Sequence, residues 1–313
     1  MSQMRPAAGG ESCKQDSFFM MRICKQDFLK EGGKMENHNR QKKIAVINDM
    51  SGFGKCSVTV ELPIISAMGI QCCPLPTAIF SNHTGYESFF CEDYTDKMMA
   101  YLKEWEKLGL CFDGICTGFL ASVRQIEVVE YFLQSFKNKK TIVVIDPVMG
   151  DYGELYPTYE RETGEELKKL LPYADIVTPN LTEACVLTGT KYREQMTEQE
   201  MILLAEKLCE MGPDKVAVTG IDRGKKIANL CYERGGTPEF IEVEKIGISR
   251  AGTGDMFCSM LAADAVNGVE FRDSVAHTSE FIRTCIRRTT ELGIPEQDGV
   301  CFEEFLYLLR YQK

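Results

Sequence analysis

The chain has 313 residues, 44% of them hydrophobic and 26% charged, an ordinary globular profile with room for one large α/β domain or two smaller ones. A formal net charge of −10 argues against a nucleic-acid surface, because such partners select clustered Lys and Arg and the strongest basic run is only Arg40 to Lys43. No run approaches the roughly 18 to 20 apolar residues of a membrane span, the N-terminus lacks the apolar core of a signal peptide, and the 14 cysteines sit mostly in apolar periodic segments, which points to a reducing cytosol and a cytoplasmic protein.

Residues 1 to 42 differ from the rest of the chain, with Gly9-Gly10, Gly32-Gly33 and scattered Lys, Gln and Asn around one apolar island, Phe18 to Met21. They are expected to carry little fixed structure, with Met35 opening a short lead-in to the first strand and residues 1 to 34 dispensable for folding. The domain proper is expected to span residues 43–313. Ile44 to Ile47 reads as a buried strand ending in the polar loop Asn48 to Gly54, before a helix that carries Pro63 and stops near Met68-Gly69. Gln71 to Phe80 reads as a second strand with a proline break, closing in Ser81 to Tyr86. Then come helix Asp93 to Leu108, strand Gly114 to Thr117, helix Val123 to Phe136 and strand Thr141 to Ile145, ending in Asp146-Pro147. The alternation continues with a helix around Gly164 to Leu171, strand Asp175 to Thr178, a helix from Leu181, helix Thr197 to Met211 and strand Lys215 to Thr219. Lys226 to Tyr232 and Phe240 to Lys245 form an antiparallel edge hairpin around Gly235-Gly236, and three helices finish the chain. This order predicts an α/β fold with a mostly parallel central sheet, helices on both faces and a small antiparallel edge.

Ile248 to Asp255, with Gly252 and Gly254 just ahead of the apolar run Met256 to Leu261, predicts a helix N-terminus whose free amides suit a phosphate. Asp255 would lie in the first helical turn, held ionised by the helix dipole. A carboxylate beside an anion site is the arrangement that takes a proton from an alcohol as it is phosphorylated; the plainer alternative is an acidic residue that merely favours a helix start. Two more segments fall at strand C-termini, where ligands collect in this architecture. In one, Asp146 and Asp151 flank a glycine-containing turn; in the other, Thr178-Pro-Asn180 leads to Glu183 as a helix begins. Their oxygens suit Mg2+, while the alternative makes Asn180 and Glu183 a capping box and Asp146 a turn residue. A zinc set from Cys72, Cys73, Cys111 and Cys116 matches no two-pair ligand spacing.

Ser81-Asn-His-Thr-Gly-Tyr86, Asp146-Pro-Val-Met-Gly-Asp151 with Gly153 and Tyr156, Thr178-Pro-Asn180 with Glu183-Ala184, and Gly252-Thr-Gly-Asp255 together resemble the pyridoxal kinase branch of the ribokinase-like kinases, from Lys43 to about Glu291. The resemblance implies ATP-dependent phosphorylation of the 5'-hydroxymethyl group of a vitamin B6 compound, with Mg2+, often a monovalent cation such as K+, and commonly a homodimer. It implies Asp255 as the base and the amides of Gly252, Thr253 and Gly254 as an anion hole. Asp146, Thr178 and Glu183 are implied around the metal, and Asp151, Asn180, Glu183, Thr219 and Gly220 around ATP. Tyr152 to Tyr159 resembles a flap over the site. Thr84 resembles a substrate-ring contact, whereas His83 is left to local backbone. Hydroxymethylpyrimidine kinases share two of these segments but usually carry Cys where Asp255 stands. A B6-binding protein without catalysis is the reading of another class.

Two departures from the family pattern concern the substrate. An ungapped count from Thr84 places Asp49 where the family often has Ser, with Ser51 as the alternative match, and Phe119 where it often has Tyr. A pocket carboxylate would favour the ammonium group of pyridoxamine over the aldehyde of pyridoxal.

Overall fold

The computed structural model describes residues 37–156 and 161–310. β1 (Lys43–Ser51) is an interior strand, third from one edge of a nine-stranded sheet, and pairs in parallel with β2 (Gln71–Phe80) on one side and β4 (Gly114–Thr117) on the other. Beyond β4 come β5 (Ile142–Ile145), β8 (Ile176–Val177) and β9 (Lys215–Asp222), all parallel, and then the antiparallel hairpin of β10 (Lys226–Glu233) and β11 (Glu239–Glu244). The expected antiparallel edge is present, and the opposite edge is antiparallel too. There β3 (Cys91–Asp93), a three-residue exposed strand that the sequence pattern does not separate from the following helix, pairs with the end of β2.

The expected proline break in β2 does not occur. Gln71 donates its N–H to the Lys42 carbonyl, so alternation turns the nitrogens of Pro74 and Pro76 away from β1, on a stretch that β3 does not reach. No ladder bond is lost, and Tyr101 donates its hydroxyl to the outward Pro74 carbonyl at 3.0 Å.

Strand alternation splits the core into two layers. Ala45 and Ile47 face one layer with α2 (Thr95–Lys107), α3 (Val123–Phe136), α5 (Leu181–Leu187) and α6 (Glu198–Glu210); Ile44 and Val46 face the other with α1 (Val58–Ala67), α7 (Thr253–Asn267) and α8 (Phe271–Glu291). The α3 boundaries match the sequence reading because Ser122 caps Gln125 and Ile126, Val129, Leu133 and Phe136 repeat at helical spacing into the core. α4 (Arg161–Leu167) passes into a 3-10 turn, Lys168–Tyr173, at Pro172. After α8 the chain ends in 3-10 turns, Glu296–Asp298 and Glu303–Leu309, in place of a third helix.

His38–Lys313 forms one unit. Residues 1–36 lie outside the described residues, and the lead-in to β1 is tied to the rest of the unit. The Asn39 amide donates to the Gly109 carbonyl and accepts from the Cys111 N–H, and Lys42 donates to the Val266 carbonyl.

Candidate active site

β1 is followed by β2 on one side while β4 lies on the other, so the strand order reverses between β1 and β4. The crevice beyond their carboxyl ends is where open α/β sheets bind ligands. The residue there is Asn48, fully buried. Its Oδ1 accepts the N–H groups of Asp49 and Phe119, each at 2.9 Å, and its Nδ2 donates to Glu61 Oε2 and Asp255 Oδ1, each at 3.1 Å. Gly118 makes room: an added Cβ would stand 2.3 Å from Asn48 Nδ2.

α7 starts at Gly252, whose φ of 81° is left-handed and whose missing side chain lets Lys55 O approach to 2.2 Å from where a Cβ would be. The helix leaves its first amides without intrahelical partners, at the positive end of the dipole. Asp255 stands in this first turn, half-buried, with Oδ2 accepting the Ser57 N–H at 2.8 Å and Oδ1 held by Asn48. Ser57 itself has a φ of 54°, unusual outside glycine, so a strained loop aims its amide at the carboxylate. The dipole does not act alone on Asp255: burial pushes its carboxyl up, and the bonds from Ser57 and Asn48 pull it back.

Four further acids gather around it. Asp49, Glu61, Asp146 and Glu183 are all buried, and desolvation raises each of them, Asp49 to about 6 and Glu183 to about 8. The charge of Asp255 adds to the rise at Asp49, Glu61 and Asp146.

Glu183 takes up the capping-box role at the start of α5. Its Oε2 accepts the Asn180 N–H at 2.8 Å and its Oε1 the Met149 N–H at 3.0 Å, while Asn180 Oδ1 accepts the Glu183 N–H at 3.0 Å: the capping box is formed. Asn180 Nδ2 donates to the Gly150 carbonyl. Both side chains fasten the turn after β5 to α5, and each Glu183 oxygen, accepting one of these N–H groups, keeps a further lone pair.

Asp146 and Thr178 fit the metal expectation. Thr178 Oγ1 is buried close enough to the Asp146 carboxylate and the Cys258 thiol to lower both, but makes no hydrogen bond of full geometry to either. A buried hydroxyl and a desolvated carboxylate are a hard-oxygen donor pair suited to Mg2+ with most of its shell left to water and phosphate. Among the described residues no group of three or more His, Cys, Asp or Glu is arranged to hold a metal ion.

Asp151 ends the first strand of a hairpin with no clear signal in the sequence, β6 (Gly150–Asp151) and β7 (Glu154–Leu155), joined by Tyr152 and Gly153 at φ 50° and 84° in a type I′ turn. The Gly153 N–H donates to Thr182 Oγ1 at 2.8 Å, pinning the turn to α5. Tyr152 to Tyr156 of the expected flap belong to this hairpin; residues 157–160 lie outside the described residues.

Asp49 is only 6% exposed, with Ser57 and Ser51 donating hydroxyls to it at 2.6 and 3.1 Å. Asp49 and Ser51 are therefore partners to each other, and the loop presents Met50 and Phe53 outward. Phe119 is half-buried and accepts the Thr77 hydroxyl on its carbonyl. Thr84 is exposed on a loop held by its neighbours. His83 Nδ1 accepts the Gly85 N–H, leaving Nε2–H to donate to the Gln297 carbonyl at 2.6 Å, the local backbone role expected of it. Thr219 bridges to Asn180, and Gly220 (φ 69°) donates its N–H to Asn229 Oδ1. None of the acids lines the surface groove of about 580 Å3 between Gly224 to Lys226 and Glu242 to Gly247.

The phosphomethylpyrimidine kinase family matches residues 61–299. This chain belongs to that family. Among its relatives, the pyridoxal kinase of Bos taurus is 30% identical over 226 residues, 64% of this chain and 69% of the relative. The pyridoxine kinase of Bacillus subtilis (strain 168) is 32% identical over 192 residues, 59% of this chain and 68% of the relative. A Bacteroides thetaiotaomicron VPI-5482 protein of the phosphomethylpyrimidine kinase type, solved with pyridoxal, is 36% identical with a TM-score of 0.83 over 86% of this chain and 96% of its own. For a phosphomethylpyrimidine kinase family member, the motif residues Asp255 and Gly252 were readable from sequence, whereas Asn48, Ser57, Glu61 and Gly118 were not. The only signal for Glu61 was a carboxylate inside the apolar run Val58 to Ile65.

Proposed function

We infer that this chain is an ATP-dependent kinase of vitamin B6 vitamers, transferring the terminal phosphoryl group to the 5'-hydroxymethyl oxygen in the salvage of pyridoxal 5'-phosphate. The observation that carries the reading is Asp255, a carboxylate fixed by two hydrogen bonds in the first turn of α7, beside amides free to receive a phosphate. A primary alcohol ionises too little at neutral pH to attack phosphorus unaided, so Asp255 accepts its proton as the P–O bond forms, an effect worth roughly 100- to 10,000-fold. Partial burial raises its carboxyl and so its proton affinity, while Ser57 and Asn48 keep the carboxylate form accessible. The amides of Gly252, Thr253 and Gly254 face the charge of the transferred group. Asp146 and Thr178 would hold Mg2+, which supplies charge neutralisation on the phosphates when bound.

The hydroxymethylpyrimidine alternative is disfavoured by Asp255 and by relatives named as pyridoxal and pyridoxine kinases at 30 to 32% identity. The family resemblance supports a monovalent cation and a homodimer, and the cysteines set in apolar segments support a cytoplasmic location. Burial of Asp49 under two hydroxyls reduces its grip on the vitamer's charge, so we place any pyridoxamine preference below about tenfold, one charge-assisted hydrogen bond at its weaker end. Turnover of pyridoxal, pyridoxine, pyridoxamine and hydroxymethylpyrimidine with ATP tests the reading. The three vitamers should be phosphorylated; a rate with hydroxymethylpyrimidine above all three would overturn it.

A further inference from the structure

We propose that Asn48 is a positioning residue for phosphoryl transfer, its side-chain amide setting the orientation of the Asp255 carboxylate. The inference rests on the kinase reading above. The amide cannot be flipped: Oδ1 receives two backbone N–H groups, from Asp49 and Phe119, so Nδ2 must face Glu61 and Asp255, and each of its two hydrogens meets one carboxylate oxygen. Asp255 is then held at both oxygens, by Asn48 at Oδ1 and by the Ser57 N–H at Oδ2. Two fixed donors stop the carboxylate from turning about its last torsion, and a base turned away from the attacking hydroxyl loses rate without losing substrate affinity. The Nδ2 atom reaches this position because residue 118 has no Cβ. Asn48 sits at the strand-order reversal, where β1, the loop after β4, α1 and α7 meet, so one side chain registers the base against the sheet edge that receives ligands.

The competing account is that Asn48 only ties β1 to α1 through Glu61. Asn48→Asp keeps volume and the oxygen that accepts both backbone N–H groups but removes the amide donors, and Asn48→Asp with Glu61→Gln restores the link to α1 with donor and acceptor exchanged, leaving Asp255 without its donor. Asn48→Asp should lower kcat by about 10- to 100-fold, the equivalent of one hydrogen bond to a charged group, with KM for vitamer and ATP within about threefold. The double variant should recover melting temperature but not kcat. Gly118→Ala changes no charged group yet pushes the Asn48 amide away, and should show the same kcat loss with KM kept. Crystal structures of both variants should show Asp255 turned off the Ser57 N–H. Recovery of kcat together with melting in the double variant, a wild-type kcat in Gly118→Ala, or an unmoved Asp255 in either structure would each overturn the proposal. A wild-type chain that turns over no vitamer would sink the kinase reading instead, and the orientation of Asp255 in the variant structures would still decide the role of Asn48.

Discussion

Replacing Asp49 by Asn tests whether the acid cluster strains the fold. Asp49 is 6% exposed and its carboxyl is pushed from 3.8 up to about 6, first by desolvation, with the charge of Asp255 adding to it and the hydroxyls of Ser57 and Ser51 opposing. A carboxyl whose folded pKa lies above its unfolded value keeps a proton in the native state that the unfolded chain has released. Its favourable share is therefore complete below about 3.8 and is lost as pH rises through about 6. At about 1.4 kcal/mol per pH unit, the gap between those two values sets the loss at pH 8 near 3 kcal/mol at most. Asparagine stays neutral at every pH, and either serine hydroxyl can rotate to accept from its amide. Asp49→Asn should therefore gain roughly 1 to 3 kcal/mol over wild type at pH 8 and almost nothing at pH 4, allowing for the usual two- to threefold context dependence of such figures. Urea unfolding at both pH values measures this, and the midpoint should rise in the pH 8 curve only. An equal difference at the two pH values would mean that Asp49 does not titrate between them, and loss of stability at pH 8 would mean that its two serine bonds outweigh its desolvation.

Three other substitutions test the same geometry. Asp255→Asn should leave fold and ATP binding close to wild type while turnover falls at least about 100-fold, read by steady-state kinetics beside ATP titration calorimetry; near-normal turnover would reduce Asp255 to a helix-start residue. Glu183→Gln opposes an amide donor to a backbone N–H of Asn180 or Met149 and should cost about 1 to 3 kcal/mol in thermal or denaturant unfolding, with little change in Mg2+ dependence. A raised Mg2+ requirement at normal stability would place Glu183 at the metal. Thr178→Val removes a buried hydroxyl that makes no hydrogen bond of full geometry, so stability should hold or rise while the Mg2+ concentration for half-maximal rate increases several-fold. An unchanged Mg2+ curve would take Thr178 out of the cation set.

The parts of the fold that could be read in the sequence are those with a local cause. Ile44 to Ile47 and Ile142 to Ile145 are β-branched runs buried on both faces, and such runs have few other uses. β3 has no such signal, being three exposed residues made a strand only by the edge of β2. The site divides along the same line. Gly252 and Asp255 sit in one short motif, whereas the partners that aim Asp255 are 207 and 198 residues away in sequence, at Asn48 and Ser57, and no periodicity relates them. Asn180 and Glu183 admit two readings in the sequence, and the local one, a capping box three residues long, is the one their atoms form. Proximity along the chain made that bond inexpensive in entropy, while a shared ligand would have had to compete with two backbone amides already in place.

The charge balance of the site also argues for what must enter it. Desolvation raises Asp49, Glu61, Asp146 and Asp255, the charge of Asp255 adds to the rise at the first three, and none of the four forms an ion pair with Lys or Arg among the described residues. An ATP phosphate chain brought to the start of α7 adds more negative charge, against which the helix offers only about half a positive charge. His83, a basic side chain whose charge lowers Asp255, is engaged with Gly85 and Gln297. Among the described residues, the groups around these acids therefore do not compensate a bound nucleotide, and the compensation is expected from a cation accompanying it or from protons held on the buried acids. The two differ in a measurable way: if protons do it, ATP binding takes up protons in calorimetry across buffers of different ionisation enthalpy, and Asp49→Asn diminishes that uptake; if a cation does it, proton uptake stays near zero with Mg2+ present and ATP affinity falls steeply when the metal is chelated. With Asp146 desolvated beside the buried hydroxyl of Thr178, the second result is the expected one, and a large proton uptake at saturating Mg2+ would refute it.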